Sequence, residues 1–377
     1  MAVLKADIVG METLGEVDLA AWRAMLAADP ALDSPYFRPE FAQAAARVSP
    51  RAAVAVFSRG GETVGFFPFQ RRGGLIQPLG APMTDYHGVI AALGESIDPA
   101  ATARLLGGGL RVGGWISPGG PVPDFGIRNR MAADVTGGRD ALVERLEARS
   151  HRFFKNMRRL RRGFEREHGE PVFTWDDRSP GVLDWIIAHK RAQYRRSRRH
   201  DVFACGWTAD LLHALSDDRT AGFGLRISSL RTATGELAAA EASLDDGRVL
   251  HLWFPTYDPA FARHGVGTLL TRLELEQAAA SGYRLVDFGS GDESYKAVMA
   301  EPAGVVFEGV AEGPRPDLAR MAGRILARGP APLRRFEQSL GRRFDIISAC
   351  ETRPADWWAG AAGAAVAAAR KRIGASA

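Results

Sequence analysis

VLHLWFPTYDPAFARHGVGTLLTRLELEQAAASGYRLVDFGSGDESYK, residues 249–296, is the stretch that decides the fold. Val249–Phe254 is an apolar, β-branched and aromatic run behind the turn Asp245-Asp246-Gly247, the pattern of a buried strand leaving a hairpin. Gly265 and Gly267 then open a helix, because Val266, Leu269, Leu270 and Leu273 recur at helical spacing. Gly282 ends that helix, and Leu285–Phe288 is the next short buried strand. A glycine turn feeding a helix leaves several backbone N–H groups free at the positive end of the helix dipole, which suits a pyrophosphate. On pattern alone, a tight strand-to-helix turn with no ligand fits equally well.

Around this unit the chain has 377 residues, which sets two domains as the prior. Hydrophobic residues at 46% and charged residues at 25% describe a globular protein. Two cysteines, Cys205 and Cys350, make no disulfide framework and are expected reduced and packed. No secretory leader or bilayer-length apolar run is visible, so the cytoplasm is the expected compartment. The net charge of +5 is unevenly placed. Arginines cluster at Arg158–Arg166, Arg195–His200, Arg334 and Arg342, which suits anionic partners or, for each cluster alone, a solvated helix face.

Toward the N-terminus, Leu19–Ala27 and Pro39–Val48 read as amphipathic helices. Ala52–Phe57 and Thr63–Gln70 read as strands joined by the hairpin Arg59-Gly60-Gly61-Glu62. Leu75–Leu79 and Val89–Ala92 are further strands, separated by the loop APMTDYHG. Gly107–Pro123 is so rich in glycine and proline that mostly turns are expected, with Trp115 and Ile116 buried. Asp140–Glu167 is long helical material with Phe153, Met157, Leu160 and Phe164 on one face and arginines on the rest. Leu183–Tyr194 and Ala209–Leu215 are helices, followed by strands at Gly224–Leu230 and Leu237–Leu244. In the tail, Leu318–Leu326 and Leu333–Leu340 read as short basic helices. The closing DWWAGAAGAAVAAARKRIGASA reads as a packed or frayed helix rather than an interfacial membrane helix.

YDPAFARHGVG, its helix, and LVDFGSGDESYK resemble the acyltransferase domain of the CelD/BcsL-type family. These are GNAT-like proteins of cellulose and other exopolysaccharide synthesis, related to the FemAB peptidyltransferases. The resemblance extends more loosely over about Pro35–Val310, through TDYHG and the basic helix near Arg158. It implies a mixed α/β (α+β) fold of two tandem GNAT-like domains, each a mostly antiparallel sheet flanked by helices. The boundaries would be 1–138, 139–312 and a basic helical tail at 313–377. The implied activity is N-acyl transfer, most simply from acetyl-CoA or another acyl-CoA, with no metal. The acceptor would be an amino sugar or a lipid-linked saccharide precursor of cellulose or a holdfast-like adhesin.

Such a transfer needs a held pyrophosphate, a donor to the carbonyl oxygen, and loss of a proton from the amine. Gly265, Val266, Gly267 and Thr268 are the phosphate candidates, with Arg263 adding charge. Ala262 stands where the usual GNAT signature has glutamine or arginine, which admits a different acyl carrier. Asp287 ends a strand beside glycines, where it either faces a cleft as a base or caps the Gly289–Gly291 turn. Glu293 has the same two readings. Tyr295 could protonate a departing thiolate and Lys296 pair with a phosphate, or both could be a packed tyrosine and a surface lysine. By resemblance Asp85, Tyr86 and His87 would line the acceptor pocket. The eight histidines show no metal-ligand spacing, and no hydrolase triad, dinucleotide fingerprint or DNA-binding motif stands out. The arginine clusters leave three further readings open. They are FemAB-like use of aminoacyl-tRNA, a regulator binding an anionic nucleotide such as cyclic di-GMP, and anionic lipid at a peripheral inner-membrane position.

Overall fold

A computed structural model describes residues 2–72, 75–217, 222–291, 296–314 and 343–373. The first half supplies β1 (Leu4–Val9), β2 (Ala52–Arg59), β3 (Glu62–Arg72), β4 (Leu75–Pro78), β5 (Ile90–Ala91) and β6 (Gly109–Trp115). Its helices are α1 (Glu16–Ala28), α2 (Pro39–Val48) and α3 (Pro99–Leu106). β7 (Gly126–Asp134) leads into α4 (Gly138–Arg149) and α5 (His151–His168). After β8 (Val172–Thr174) come α6 (Val182–Ser197) and α7 (Trp207–Asp217), then the meander β9 (Gly224–Arg231), β10 (Leu237–Asp245) and β11 (Val249–Tyr257). α8 (Val266–Ala280), β12 (Leu285–Ser290), α9 (Lys296–Met299), β13 (Glu301–Ala311) and α10 (Pro354–Ile373) complete the described chain.

Among the described residues thirteen strands form one sheet, in the order β1-β2-β3-β4-β6-β13-β7-β12-β11-β10-β9-β8, with β5 beside β3. Pairing is antiparallel except at β4–β6 and β11–β12. The fold is the mixed α/β, mostly antiparallel arrangement expected from the sequence. Where the halves meet they exchange strands. β13, last in sequence among the described strands, pairs with β6 of the first half on one side and with β7 on the other. β7 in turn reaches past β13 to pair with β12. The sheet therefore runs without an edge from one half into the other.

Side-chain alternation gives each face its own helices. Ala240, Ala242 and Leu244 of β10 belong to a core with Trp22, Phe41, Ile186 and Leu211, from α1, α2, α6 and α7. Leu250, Leu252, Val286 and Phe288 point the other way, into a core with Leu146, Phe154 and Leu275. β11 carries an extra residue opposite Ala242 and Ser243, because Phe254 pairs with Ala242 and Leu252 with Ser243. This bulge at Trp253 puts Trp253 and Phe254 on the same face.

The region Gly107–Pro123, expected as mostly turns, instead contains β6. Gly114 serves close approach, since a Cβ on it would lie 1.9 Å from the Asp85 carbonyl oxygen. Trp115 and Ile116 are buried as expected. The helical material of 140–167 breaks at Ser150 into α4 and α5, and Phe154 rather than Phe153 joins Met157 and Phe164 on the buried stripe. Cys205 and Cys350 are free thiols, the second buried. No helix among the described residues is long and apolar enough to cross a membrane. α10 packs back on the helical segment 343–350, with Trp357 Nε1 donating to Ser348 Oγ at 2.9 Å. The expected tail helices at Leu318–Leu326 and Leu333–Leu340 lie outside the described residues.

Between β10 and α8 two carboxylates are fully enclosed. Glu241 and Glu274 are 1% and 0% exposed, and both Glu274 oxygens lack hydrogen-bond partners. Burial raises Glu274 from its ordinary value to about 8, and burial with the Glu274 charge raises Glu241 as well. A carboxyl held above its unfolded value stabilises fully below about 4.5, and the contribution is lost as pH rises through 8. Glu274→Gln should therefore raise Tm at pH 9 by roughly 5 °C and change it little at pH 4.5, as thermal unfolding across pH would show.

Candidate active site

The loop between β4 and β5 is fastened to β6 by main-chain bonds. His87 N donates to Gly114 O at 3.0 Å, and Ile116 N donates to His87 O at 2.7 Å. The His87 ring joins in, its Nε2 accepting from the N–H groups of Gly113 and Gly114 at 3.0 and 2.9 Å. Burial lowers its pKa to about 4, so the ring is neutral. His87 thus anchors the loop, with its acceptor nitrogen already used. From the second half, Trp253 Nε1 donates to Met83 O at 2.7 Å. Held at both ends, the loop presents Asp85 and Tyr86 to the centre of the sheet.

There they meet residues of β7, β11 and β12. Tyr86 donates its hydroxyl to Asp287 Oδ1 at 2.7 Å, and Arg130 Nε donates to Asp287 Oδ2 at 2.7 Å. The Arg130 guanidinium also lies 4.9 Å over the Tyr86 ring. His251 stands between two carboxylates, Nε2 at 3.1 Å from Asp85 Oδ2 and Nδ1 at 3.5 Å from Asp287 Oδ1. Tyr36 closes the far side, its ring 4.9 Å from His251. The register explains the meeting: β12 pairs with β7 at Asp287–Ala132 and again at Ser290–Arg130, so Arg130 and Asp287 share a face.

Asp287, His251, Tyr86 and Arg130 are buried, while the Asp85 side chain is 41% exposed. Burial alone would raise the Asp287 carboxyl, but the Arg130 charge, with His251 and Tyr86, holds it well below the usual carboxylate range. Burial also opposes a charged His251, yet its bonds and attraction to Asp287 and Asp85 raise it to about 9. Burial, with the Asp287 charge, pushes the Tyr86 phenol well above its ordinary value. At neutral pH the cluster holds imidazolium, guanidinium and a buried carboxylate, with Asp85 as its solvent-accessible acidic side chain. The expectation that Asp287 could face a cleft is corrected here. Both of its oxygens are occupied, and Gly289 N donates to Oδ1 at 2.7 Å, the turn-capping alternative.

The parallel pairing of β11 with β12 covers only Val249–His251 against Leu285–Asp287. Beyond it the strands part, and residues 252–257 of β11 face the opening with an edge that no described strand covers. α8 starts nearby. Gly265 caps it at φ +65, where a Cβ would come within 3.1 Å of Leu160 Cδ1. Val266 is buried, and Gly267 lies against the Tyr257 ring, with a Cβ there 3.4 Å from Cδ1. The N–H groups of Val266, Gly267 and Thr268 lie in the first turn and lack intrahelical acceptors. Arg263 is 66% exposed at its side chain and pairs with Glu167.

Glu293 and Tyr295 lie outside the described residues. Lys296 is buried at 8% and lines a cleft of about 440 Å³ with Asn129, Arg149, Gly291 and Glu301. Asp85, Tyr86 and Asp287 are brought together; the glycine corner is a separate feature, packed against Tyr257 at the end of β11. Sequence reading missed Arg130 and His251. Each is a polar residue inside an otherwise apolar strand, GIRNRMAAD and VLHLWFPTY, and that was the available signal. Of the arginine clusters, Arg195 and Arg196 lie in the last turn of α6, with Arg198 as its left-handed cap. Arg334 lies outside the described residues.

Residues 150–297, from the N-cap of α5 to the second residue of α9, match the family described as "Acetyltransferase (GNAT) domain". The protein carries a GNAT-type acyltransferase domain. That GNAT domain contains the glycine corner, His251 and Asp287, while Asp85, Tyr86 and Arg130 come from outside it. No curated protein matches the chain. Among solved structures, a tandem GNAT protein from the clavulanic acid biosynthesis pathway is similar at 13% identity and TM-score 0.49, covering 84% of this chain and 100% of that one. FemX is similar at 11% identity and TM-score 0.46, covering 77% and 95%. L-PGS from Bacillus licheniformis follows at 12% and 0.43, covering 80% and 94%.

Proposed function

We propose that the protein is an acyl-CoA-dependent N-acyltransferase whose acceptor is an amino sugar or saccharide precursor of an exopolysaccharide. The acceptor class rests on the CelD/BcsL resemblance of YDPAFARHGVG and LVDFGSGDESYK. The transfer reading is carried by one observation: β11 and β12 part beyond His251 and Asp287, with an accessible acidic side chain on His251 and a glycine-opened helix start against Tyr257 at the end of β11.

The residues fit an acyl-CoA. Gly265–Thr268 offer backbone N–H groups to its pyrophosphate at the positive end of α8, and Arg263 is near enough to leave Glu167 for a phosphate. The uncovered edge of β11 offers main-chain donors to an amide-bearing arm and to a thioester carbonyl. The acceptor amine approaches Asp85, whose charge attracts an ammonium. The neutral amine would attack the thioester carbonyl; its N–H then becomes acidic enough for the Asp85 carboxylate to take the proton, and the C–S bond breaks with coenzyme A leaving as the thiolate. His251 fixes the Asp85 oxygen, and Asp287 with Arg130 fixes His251.

Calorimetric titration with acetyl-CoA tests the donor site. One-to-one binding is expected, weakened on the order of 100-fold in Gly267→Arg, whose side chain would fill the helix mouth. Gly267 does not need a positive φ, so the variant should fold. Unchanged affinity in it would overturn the donor assignment. Mass spectrometry of amino-sugar acceptors incubated with acetyl-CoA then reads the acceptor class.

A further inference from the structure

The C-terminal end of α5 meets the 3-10 turn Pro259–His264 at a group of side chains that acyl transfer does not use. Glu167, His168 and His264 each present one ligand-type atom, and the three atoms lie within 4.8 Å of one another. His264 is 5% exposed, and its Nε2 lies 3.7 Å from Glu167 Oε2. His168 has a buried Nε2 with no hydrogen-bond partner. Packing fixes both rings. His168 lies 5.1 Å from Phe164 and 5.0 Å from Phe261, His264 lies 5.6 Å from Phe164, and the two imidazoles are 5.3 Å apart.

Arg263 shows what charge this group accepts. Its Nε donates to His264 Nε2 at 3.1 Å, so that nitrogen is the unprotonated one, as a metal ligand must be. The same guanidinium pairs with Glu167. A cation therefore already faces the cluster, on a side chain 66% exposed and free to swing away. Two imidazoles and one carboxylate suit Zn2+, whose bonds of about 2.0–2.2 Å place tetrahedral ligands roughly 3.3–3.5 Å apart. The 3.7 Å separation is close to that, and small side-chain rotations close the rest. The histidines stand far apart in sequence, on separate elements, which is why spacing gave no metal signal.

We propose that Glu167, His168 and His264 form a divalent transition-metal site, with Zn2+ the ion its ligands select and a fourth position open to solvent. The ion would pin α5 to the residue immediately before Gly265 and so stiffen the corner where α8 begins. The assignment rests on these three side chains and not on the acyl-transfer reading.

The test uses the full chain after chelator treatment. Titration with Co2+ should give one equivalent with visible absorption of a four-coordinate ion, displaced by Zn2+. His168→Ala and Glu167→Gln should each weaken binding by at least about 10–100-fold while circular dichroism stays unchanged. Arg263→Ala should tighten it, because the competing cation is gone. No saturable equivalent in the wild type would overturn the site, as would binding that survives both ligand substitutions. The half-buried His168 and exposed Glu167 keep the test decisive even if the buried His264 cannot be replaced without unfolding.

Discussion

Asp85→Asn is expected to lower kcat by about 10²- to 10⁴-fold, the range for loss of a positioned general base, with little change in fold. The side chain is 41% exposed and the substitution keeps its size, so the loop keeps its anchors through His87 and Met83. Steady-state kinetics with acetyl-CoA and an active amino-sugar acceptor would measure it, and donor affinity by calorimetry should stay near wild type. That split separates Asp85 from the glycine corner, where damage falls on donor binding. A kcat within threefold of wild type would sink the assignment of Asp85 as the proton acceptor. Asp287→Asn should behave differently, lowering stability as well as turnover, because it strips charge from a fully buried partner of Arg130.

Arg130→Met should be the most destabilising substitution at this centre. It leaves the Asp287 carboxylate, 0% exposed, without its guanidinium partner. Removing one side of a buried ion pair costs about 3–5 kcal/mol, which for a chain of this size lowers Tm by roughly 5 °C. Urea unfolding at pH 7 would read it, and a loss below 1 kcal/mol, the ordinary worth of an exposed pair, would contradict the buried cluster. Lowering pH should partly rescue the variant, since Asp287 without Arg130 loses the largest influence that keeps it ionised.

His251 gives the wild type a second pH signature. Its folded value of about 9 lies above the ordinary 6.5, so its contribution is complete below 6.5 and is lost as pH rises through 9. The Glu274 window runs lower, from 4.5 to 8. Glu274→Gln should flatten the lower decline and leave the upper one, and His251→Gln the reverse.

How much of this was legible depends on distance along the chain. The β11–α8–β12 unit was readable because apolar periodicity and the stops at Gly265 and Gly282 are local signals. Asp85 and Tyr86 were found through the TDYHG resemblance, and both reach the centre. Arg130 and His251 escaped because their meaning is a partner 157 or 166 residues away, and a single polar residue in an apolar strand does not name its partner. Asp287 was singled out, but its burial depends on β7 lying beside β12, a pairing that no sequence period announces. Glycines misled at β6 for a related reason. Gly114 read as a turn residue, while its lack of a side chain serves a loop crossing close above a strand.

The exchanged strands carry a consequence for how the protein comes off the ribosome. When β6 and β7 emerge, the neighbour they share is missing, because β13, the last strand among the described residues, must settle between them. The first half therefore waits, while the chain from α4 to α9 is made, with open strand edges of the kind that invite pairing with other chains. Expressing either half alone would make that interval permanent.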